Sequence, residues 1–127
     1  MASPRLVVLI VEDNALIRLD LAASLASLGW GVLEADSGKD ALDLCTSGRH
    51  IDVLVTDINL GNGTTGWDVA RAFWLRNSIP VIYMSGNADD PLHHVPASAF
   101  MAKPCLPPEV IETCLRLHAH HRDGGEG

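Results

Sequence analysis

The sequence is poor in basic residues and lacks any long apolar run. Nine Lys and Arg stand against sixteen Asp and Glu, the formal net charge is −7, and the basic positions are scattered along the chain. Because a nucleic-acid surface needs clustered Lys and Arg, this composition argues against DNA or RNA binding. No run approaches the ~20 residues of a membrane-spanning helix, and the first one is too short for a signal sequence. We therefore expect no membrane association.

Cysteine is also scarce. The three cysteines, Cys45, Cys105 and Cys114, are odd in number, lack CxxC spacing and lie within apolar stretches. This pattern argues against a disulfide framework or a zinc site. We interpret them as small core residues of a protein in a reducing compartment, which predicts a cytoplasmic location.

The length and apolar content indicate one compact domain. A chain of 127 residues with 47% hydrophobic residues is long enough to bury a single core. We expect this domain to cover residues 1–121. The Gly-rich, charged residues 122–127 are predicted to form a flexible tail with no further domain after it.

Strand-like and helix-like segments alternate along the chain. Apolar or β-branched runs predict five strands, and the spacing of apolar residues between caps and glycines predicts helices after the first, second, third and fifth strands. The predicted strands are residues 6–11, 30–35, 53–57, 81–84 and 99–102. Between the last two, Pro91 and Pro96 leave room for only a shortened helix or none. The alternation predicts an α/β fold with a doubly wound, five-stranded parallel sheet.

Polar side chains stand where the predicted strands end. Right-handed crossovers bring the carboxyl ends of parallel strands to one edge of the sheet, which is where such folds bind ligands. Five polar residues share this placement: Glu12, Asp13, Asp57, Ser85 and Lys103. We therefore expect them to form one site.

The chemistry of these five residues indicates phosphoryl transfer. Adjacent carboxylates repel one another unless a cation neutralises them, and Mg²⁺ prefers such oxygen ligands. Lys103 and Ser85 could hold the oxygens of a phosphoryl group. Asp57 would then be the nucleophile that accepts it, as carboxylates do in aspartyl-phosphate chemistry.

Other patterns in the sequence suggest different functions but fit less well. Gly61-x-Gly63-x-x-Gly66 formally matches a dinucleotide-binding fingerprint, but it follows the third strand rather than the first, and the nearby acids would repel a pyrophosphate. A small phosphatase that uses an aspartyl-phosphate would usually carry a general acid two residues after the nucleophile, where Asn59 stands. The histidines near the end of the last helix offer weak geometry for a metal and suit solvated or helix-end roles.

The motifs LVVLIVED-N, VLVTD, VIYMSG and FMAKP, in this order and spacing, resemble the receiver domain of bacterial two-component response regulators. The resemblance covers residues 6 to about 118 and implies a CheY-like, flavodoxin-like fold with strand order 2-1-3-4-5. It implies that Asp57 is the phospho-acceptor. It also implies that Mg²⁺ is held by Glu12, Asp13, Asp57 and the backbone carbonyl of Asn59, with Asp13 as a direct ligand.

The same resemblance assigns the remaining roles. It implies that Lys103 and Ser85 assist phosphotransfer, that Ser85 and Phe100 act as the conformational switch, and that the Lys103–Pro104 peptide is cis. Asn59 and Asn87 would flank the attacking water and set the lifetime of the phosphorylated state. The glycine-rich loop after Asp57 is slightly longer than is usual in the family.

In function, the resemblance implies a stand-alone response regulator of the single-domain type. A histidine kinase or histidine phosphotransfer protein would supply the phosphoryl group, and a downstream protein would read the phosphorylated form. We expect a monomer or weak homodimer that is not an enzyme beyond self-catalysed phosphotransfer and autodephosphorylation. The alternative is a pseudo-receiver, an interaction module that keeps the site but works without phosphorylation.

Overall fold

Five parallel strands form the central sheet of the protein. The structure, a computed structural model, describes residues 4–61 and 63–124. The strands are β1 (Val7–Val11), β2 (Gly31–Ala35), β3 (Val53–Asp57), β4 (Val81–Ser85) and β5 (Ser98–Ala102). They pair in the order β2-β1-β3-β4-β5, and every pairing is parallel. The predicted doubly wound sheet and its strand order are confirmed.

Burial follows the position of each strand in the sheet. Every residue of β3 and β4 is buried, and β1 is buried from its second residue onward. The edge strand β5 is largely half-buried, and the edge strand β2 has both exposed and half-buried residues. Continuous Leu, Val and Ile runs suit central strands because helices cover both faces of the sheet. Asp57 ends β3 and Glu12 follows β1, and neither strand can shift without exposing core residues.

Within the described residues, four α-helices cover the two faces. They are α1 (Ala15–Ala26), α2 (Gly38–Cys45), α3 (Gly66–Asn77) and α4 (Pro107–Gly124). Helices α2 and α3 pack on one face, and α1 and α4 pack on the other. Side chains of Asn14, Ser37 and Thr65 cap the first three helices by accepting hydrogen bonds from backbone N–H groups of their first turns.

The connection between β4 and β5 contains only one short helical turn. Residues Pro91–His93 form a 3-10 turn, so the shortened helix expected from the two prolines is confirmed. A hydrogen bond fixes the segment to β4, because the hydroxyl of Tyr83 accepts a hydrogen bond of 3.1 Å from the backbone N–H of Val95. Trp67 lies beside it, with ring centroids 5.2 Å from His93 and 5.6 Å from His94.

Two sequence-based expectations differ from the structure. The helical spacing of Ile17, Leu21, Leu25 and Leu28 predicts that these four form the apolar side of the first helix. In the structure Ile17 and Leu28 are exposed, and only Leu21, Ala22 and Leu25 are buried there. The last helix continues through Arg122 to Gly124, so the first three residues of the expected tail are helical, and residues 125–127 lie outside the described part. A helix needs only a narrow apolar stripe to pack, which is why spacing alone overestimated the buried face of α1.

None of the helices within residues 4–61 and 63–124 has the length and apolarity that crossing a membrane requires.

Candidate functional site

Asp57 ends β3 and is buried, with 7% of its surface exposed. Its Oδ1 accepts a hydrogen bond of 3.3 Å from the backbone N–H of Asn59. The chain then turns back so that the N–H of Gly66 donates to the carbonyl of Ile58 at 2.7 Å. The start of α3 therefore packs directly on the end of β3 and positions the carboxylate at the sheet edge.

Glu12 follows β1 and is fully buried. Its Oε2 accepts from the backbone N–H of Asn14 at 3.1 Å, while its Oε1 receives a hydrogen bond of 2.6 Å from Lys103 Nζ. A buried carboxylate is costly unless it is paired and hydrogen-bonded, and both oxygens of Glu12 meet that condition. Glu12 is thereby held beside Asp57.

Lys103 connects two strand ends through one ammonium group. Its Nζ lies 2.6 Å from Glu12 Oε1 and 3.1 Å from Asp57 Oδ2, and its side chain is 23% exposed. Burial lowers the pKa of Lys103, but the hydrogen bonds to Glu12 and Asp57 and the charges of both carboxylates outweigh this, so the pKa lies above the ordinary 10.5. The lysine is therefore charged at neutral pH and places a positive charge against Asp57. Its peptide bond to Pro104 is cis, as the resemblance implied.

Glu12, Asp13 and Asp57 form an acid cluster. Each offers a carboxylate oxygen, and these oxygens lie within 4.8 Å of one another. Partial loss of hydration raises the pKa of Asp13 above its usual 3.8, and the hydrogen bond and negative charge of Glu12 raise it further. Three clustered carboxylates beside one ammonium leave uncompensated negative charge, and hard oxygen ligands of this kind suit Mg²⁺. The residues present therefore fit a divalent cation.

The remaining residues that the sequence analysis selected surround this cluster without all joining it. Ser85 is buried at the end of β4, and its Oγ accepts a hydrogen bond of 2.9 Å from the backbone N–H of Asn87. The side chains of Asn59 and Asn87 are exposed at the rim. Phe100 is half-buried in β5 and pairs in register with Tyr83. The structure thus brings together Glu12, Asp13, Asp57 and Lys103, and leaves the other four at the border.

Gly66 belongs to this site, but the sequence analysis assigned it no structural role. A Cβ added to it would collide with the backbone carbonyl of Asp57 and lie 2.8 Å from the Cα of Ile58. Only glycine lets the start of α3 approach β3 this closely. Its place at the end of a Gly-rich run was visible in the sequence, but the partner that it approaches was not.

The fold and this arrangement of acids and lysine define a class of signalling domain. A sequence model described as the response regulator receiver domain matches residues 8–114 of the chain. The chain therefore belongs to the response regulator receiver domain family, as the motifs at the strand ends indicated.

Individual relatives agree with this assignment. The chain is 30% identical over 106 residues to the phyllosphere-induced regulator PhyR of Methylorubrum extorquens, which covers 81% of this chain and 40% of PhyR. It is 35% identical over 83 residues to the sensor histidine kinase RcsC of Escherichia coli, which covers 65% of this chain and 9% of RcsC. The chain thus spans less than half the length of these curated relatives.

Solved structures show the same architecture. A response regulator receiver protein from Sinorhizobium medicae superimposes with a TM-score of 0.86 at 30% identity, covering 91% of this chain and 95% of that one. The chemotaxis protein CheY4 of Vibrio cholerae gives a TM-score of 0.77 at 24% identity, covering 90% and 99%. The second likeness supports the CheY-like fold alone.

Proposed function

We propose that this receiver domain accepts a phosphoryl group on Asp57 in a Mg²⁺-dependent reaction and signals as a stand-alone response regulator. The observation that carries the proposal is the contact of Lys103 Nζ with both Glu12 and Asp57 inside the acid cluster. A structural carboxylate would need only one partner. The carboxylate of Asp57 ends a buried strand, faces a lysine and lies within an acid cluster suited to a cation.

In the proposed reaction, a carboxylate oxygen of Asp57 attacks phosphorus and forms an acyl phosphate. The bond between phosphorus and the donor nitrogen breaks, and the donor imidazole leaves with the electron pair and takes up a proton. Lys103 contributes a fixed positive charge where negative charge gathers on the phosphoryl oxygens. Glu12 holds the ammonium group in place through its 2.6 Å hydrogen bond.

Glu12, Asp13 and Asp57, with the backbone carbonyl of Asn59, would hold Mg²⁺, which supplies charge neutralisation for the incoming phosphoryl group. Asp57 remains the nucleophile and Lys103 the fixed cation of the chain itself. The chain would thus catalyse its own phosphorylation and dephosphorylation without turning over a separate substrate. Asn59 and Asn87 at the rim would tune the rate at which phospho-Asp57 is hydrolysed.

Ser85 is proposed to respond to the new phosphate. In the structure its Oγ accepts from the N–H of Asn87, and its own hydroxyl proton can be redirected to a phosphoryl oxygen. Such a contact exists only in the phosphorylated state, so it can bias a conformational equilibrium. Phe100, half-buried on the neighbouring strand, would follow this movement and change the surface offered to a downstream protein.

A groove beside the site suits the phosphodonor. It has a volume of about 660 Å³, is largely apolar and is lined in part by Lys103, whose ammonium group contacts the acid cluster. Leu16 on α1 is 81% exposed and Leu106 after β5 is 57% exposed, and both line it. We propose that a helical histidine kinase or histidine phosphotransfer protein binds this donor groove, because a donor seated there would bring its phosphohistidine to Asp57. The three free thiols support a reducing, cytoplasmic setting for that exchange.

The first experiment is to incubate the protein with Mg²⁺ and acetyl phosphate and to measure its intact mass. A single phosphoryl adduct is expected on the wild type, and none on Asp57→Asn or after EDTA treatment. An adduct that persists in Asp57→Asn would refute Asp57 as the acceptor. No adduct on the wild type would favour the pseudo-receiver alternative.

The donor groove has its own test. Leu16→Ser is expected to slow phosphotransfer from a histidine phosphotransfer protein at least about fivefold, because an interface loses a central apolar contact. The rate with acetyl phosphate should stay unchanged, since the reacting groups are intact. Leu92→Ser is the matched control, because Leu92 is 95% exposed but lies outside the groove. Equal slowing with both donors would contradict the groove as a docking surface.

A further inference from the structure

The structure gathers basic residues that the sequence scatters. A cavity of about 500 Å³ lies where β3 and β4 begin, at the edge of the sheet opposite Asp57. Its six basic lining residues are Arg49, Arg76, Arg122, His50, His118 and His121. Basic positions that are scattered along the sequence are therefore brought together at this edge, although the chain as a whole is acidic. We call this space the basic cavity.

Three separate segments build the basic cavity. Arg49 and His50 come from the connection between α2 and β3, Arg76 from the last turn of α3, and Arg122 from the last turns of α4. Cations near helix C-termini interact favourably with the helix dipole, which accounts for the position of Arg76 and of Arg122 when each is considered by itself. The helix dipole does not account for the positions of Arg49 and His50. It also does not explain why all three segments face one space.

The arginines have no carboxylate to neutralise them among the described side chains. Asp52 is the acidic residue that lines the basic cavity, and its oxygens already have partners, one a backbone N–H group and the other His50 of the cavity itself. Its Oδ2 accepts from the backbone N–H of Val7 at 2.8 Å, and its Oδ1 lies 2.9 Å from His50 Nε2. No ion pair of Arg49 or Arg76 with a described carboxylate lies within 4.0 Å.

We propose that the basic cavity binds a small molecule that carries two or more phosphate groups. Guanidinium groups bind phosphate through paired hydrogen bonds, and three of them around one space can hold more than one phosphate. The volume lies within the range of small-ligand sites. A long polyanion such as a nucleic acid would extend past the cavity onto a chain whose net charge is −7, and would be repelled. Charge and size together select a short, highly charged ligand.

This site is independent of phosphotransfer at Asp57. A five-residue strand separates the two edges by ~16 Å, and no residue lines both the basic cavity and the acid cluster. A ligand here could therefore be bound by the unphosphorylated chain without Mg²⁺. Binding can accordingly be measured in EDTA, where failure would say nothing about the phosphorylation proposal.

The test uses inorganic diphosphate as the probe, titrated into the full chain in EDTA at constant ionic strength and followed by amide chemical shifts and calorimetry. Saturable binding at one site is expected, with shifts at Gly48, Ile51 and Asn77 and weaker binding of orthophosphate. The double variant Arg49→Gln/Arg76→Gln should bind at least about tenfold more weakly, because paired hydrogen bonds to phosphate are lost. Arg71→Gln and Arg116→Gln are matched controls on α3 and α4 outside the cavity, and should bind as the wild type does.

Several results would overturn the proposal. They are absence of saturation at millimolar diphosphate, equal weakening in the control variants, and shifts confined to Asn59 and Ser85. A duplex nucleic acid that binds more tightly than diphosphate would reject the assignment to a small ligand. Thermal denaturation of each variant without ligand separates loss of binding from loss of folding.

Discussion

The backbone of Gly66 packs directly on the backbone carbonyl of Asp57. A methyl group at Gly66 would collide with that carbonyl, and its N–H donates to the carbonyl of Ile58 at 2.7 Å. The start of α3 and the end of β3 therefore form one rigid unit that holds the proposed nucleophile. The position of Asp57 depends on a residue nine places later in the chain.

Gly66→Ala is expected to destabilise the fold by about 1–3 kcal/mol through this collision, which exceeds the ~1 kcal/mol that alanine gains over glycine in a helix. Displacement of Asp57 should also slow adduct formation with acetyl phosphate. Urea denaturation and intact mass measure the two effects. Gly86→Ala is the control for stability, because nothing lies within 4 Å of its added Cβ. Equal stability of the two variants would refute the close approach.

Lys103→Gln should destabilise the Mg²⁺-free protein by about 2 kcal/mol, because removing the ammonium group leaves the buried carboxylates of Glu12 and Asp57 without a compensating charge. Solvent at the partly exposed lysine position reduces this loss. Lys39→Gln is the control. Its Nζ lies 3.4 Å from Asp43 with both side chains exposed, so it should change stability by less than ~0.5 kcal/mol. Mg²⁺ should restore part of the loss in Lys103→Gln, and urea denaturation with and without Mg²⁺ would show it. Equal stability of the two lysine variants would contradict the bridging role.

The raised pKa of Lys103 predicts a pH dependence of stability. Because the folded pKa lies above the ordinary 10.5, the contribution of the ammonium group is complete below pH 10.5. It is lost as the pH rises through the folded pKa. The stability difference between wild type and Lys103→Gln should therefore be constant from neutral pH to about 10 and shrink above it. A difference that already declines between pH 7 and 9 would contradict this assignment.

Asp13→Asn is expected to have opposite effects without and with Mg²⁺. Because loss of hydration and the neighbouring Glu12 raise the pKa of Asp13, its ionised form destabilises the fold above pH 3.8 and fully so above the folded pKa. Removing that charge should raise the melting temperature in EDTA. Mg²⁺ at 100 times its Kd should stabilise the wild type by ~2.7 kcal/mol and this variant far less. Asp43→Asn, at the exposed pair with Lys39, should leave the Mg²⁺ effect unchanged.

Tyr83→Phe tests how the short connection between β4 and β5 is held. The variant leaves the N–H of Val95 without its acceptor, which should cost about 1–2 kcal/mol. Hydrogen exchange of the Val95 amide should accelerate at least about tenfold as the segment opens more often. Ser24→Ala, which removes an exposed hydroxyl bond on α1, should leave that amide unchanged. Unchanged exchange in Tyr83→Phe would show that this hydrogen bond does not hold the segment in place.

The sheet and the location of the site were predictable because they depend on local patterns. Runs such as residues 53–55 are apolar at every position, which suits a central parallel strand, and Asn14 and Ser37 are caps whose partners lie within one turn. The carboxyl ends of parallel strands meet at one edge, so Glu12, Asp57 and Lys103 could be placed together from their positions after strands. The roles assigned to Ser85, Phe100, Asn59 and Asn87 rest on the family resemblance and stay predictions.

The sequence by itself therefore determined the positions of the strands, the caps and the chemistry available at the strand ends, while the strand order was predicted from the family resemblance. Tertiary structure alone decided which side of α1 is buried, how closely Gly66 approaches Asp57, and how Tyr83 and Trp67 hold the segment before β5. It also decided that Arg49, Arg76 and Arg122, distant in sequence, face one cavity. Each of these depends on contacts between segments far apart in the chain, whose geometry is set by packing and which no local spacing encodes.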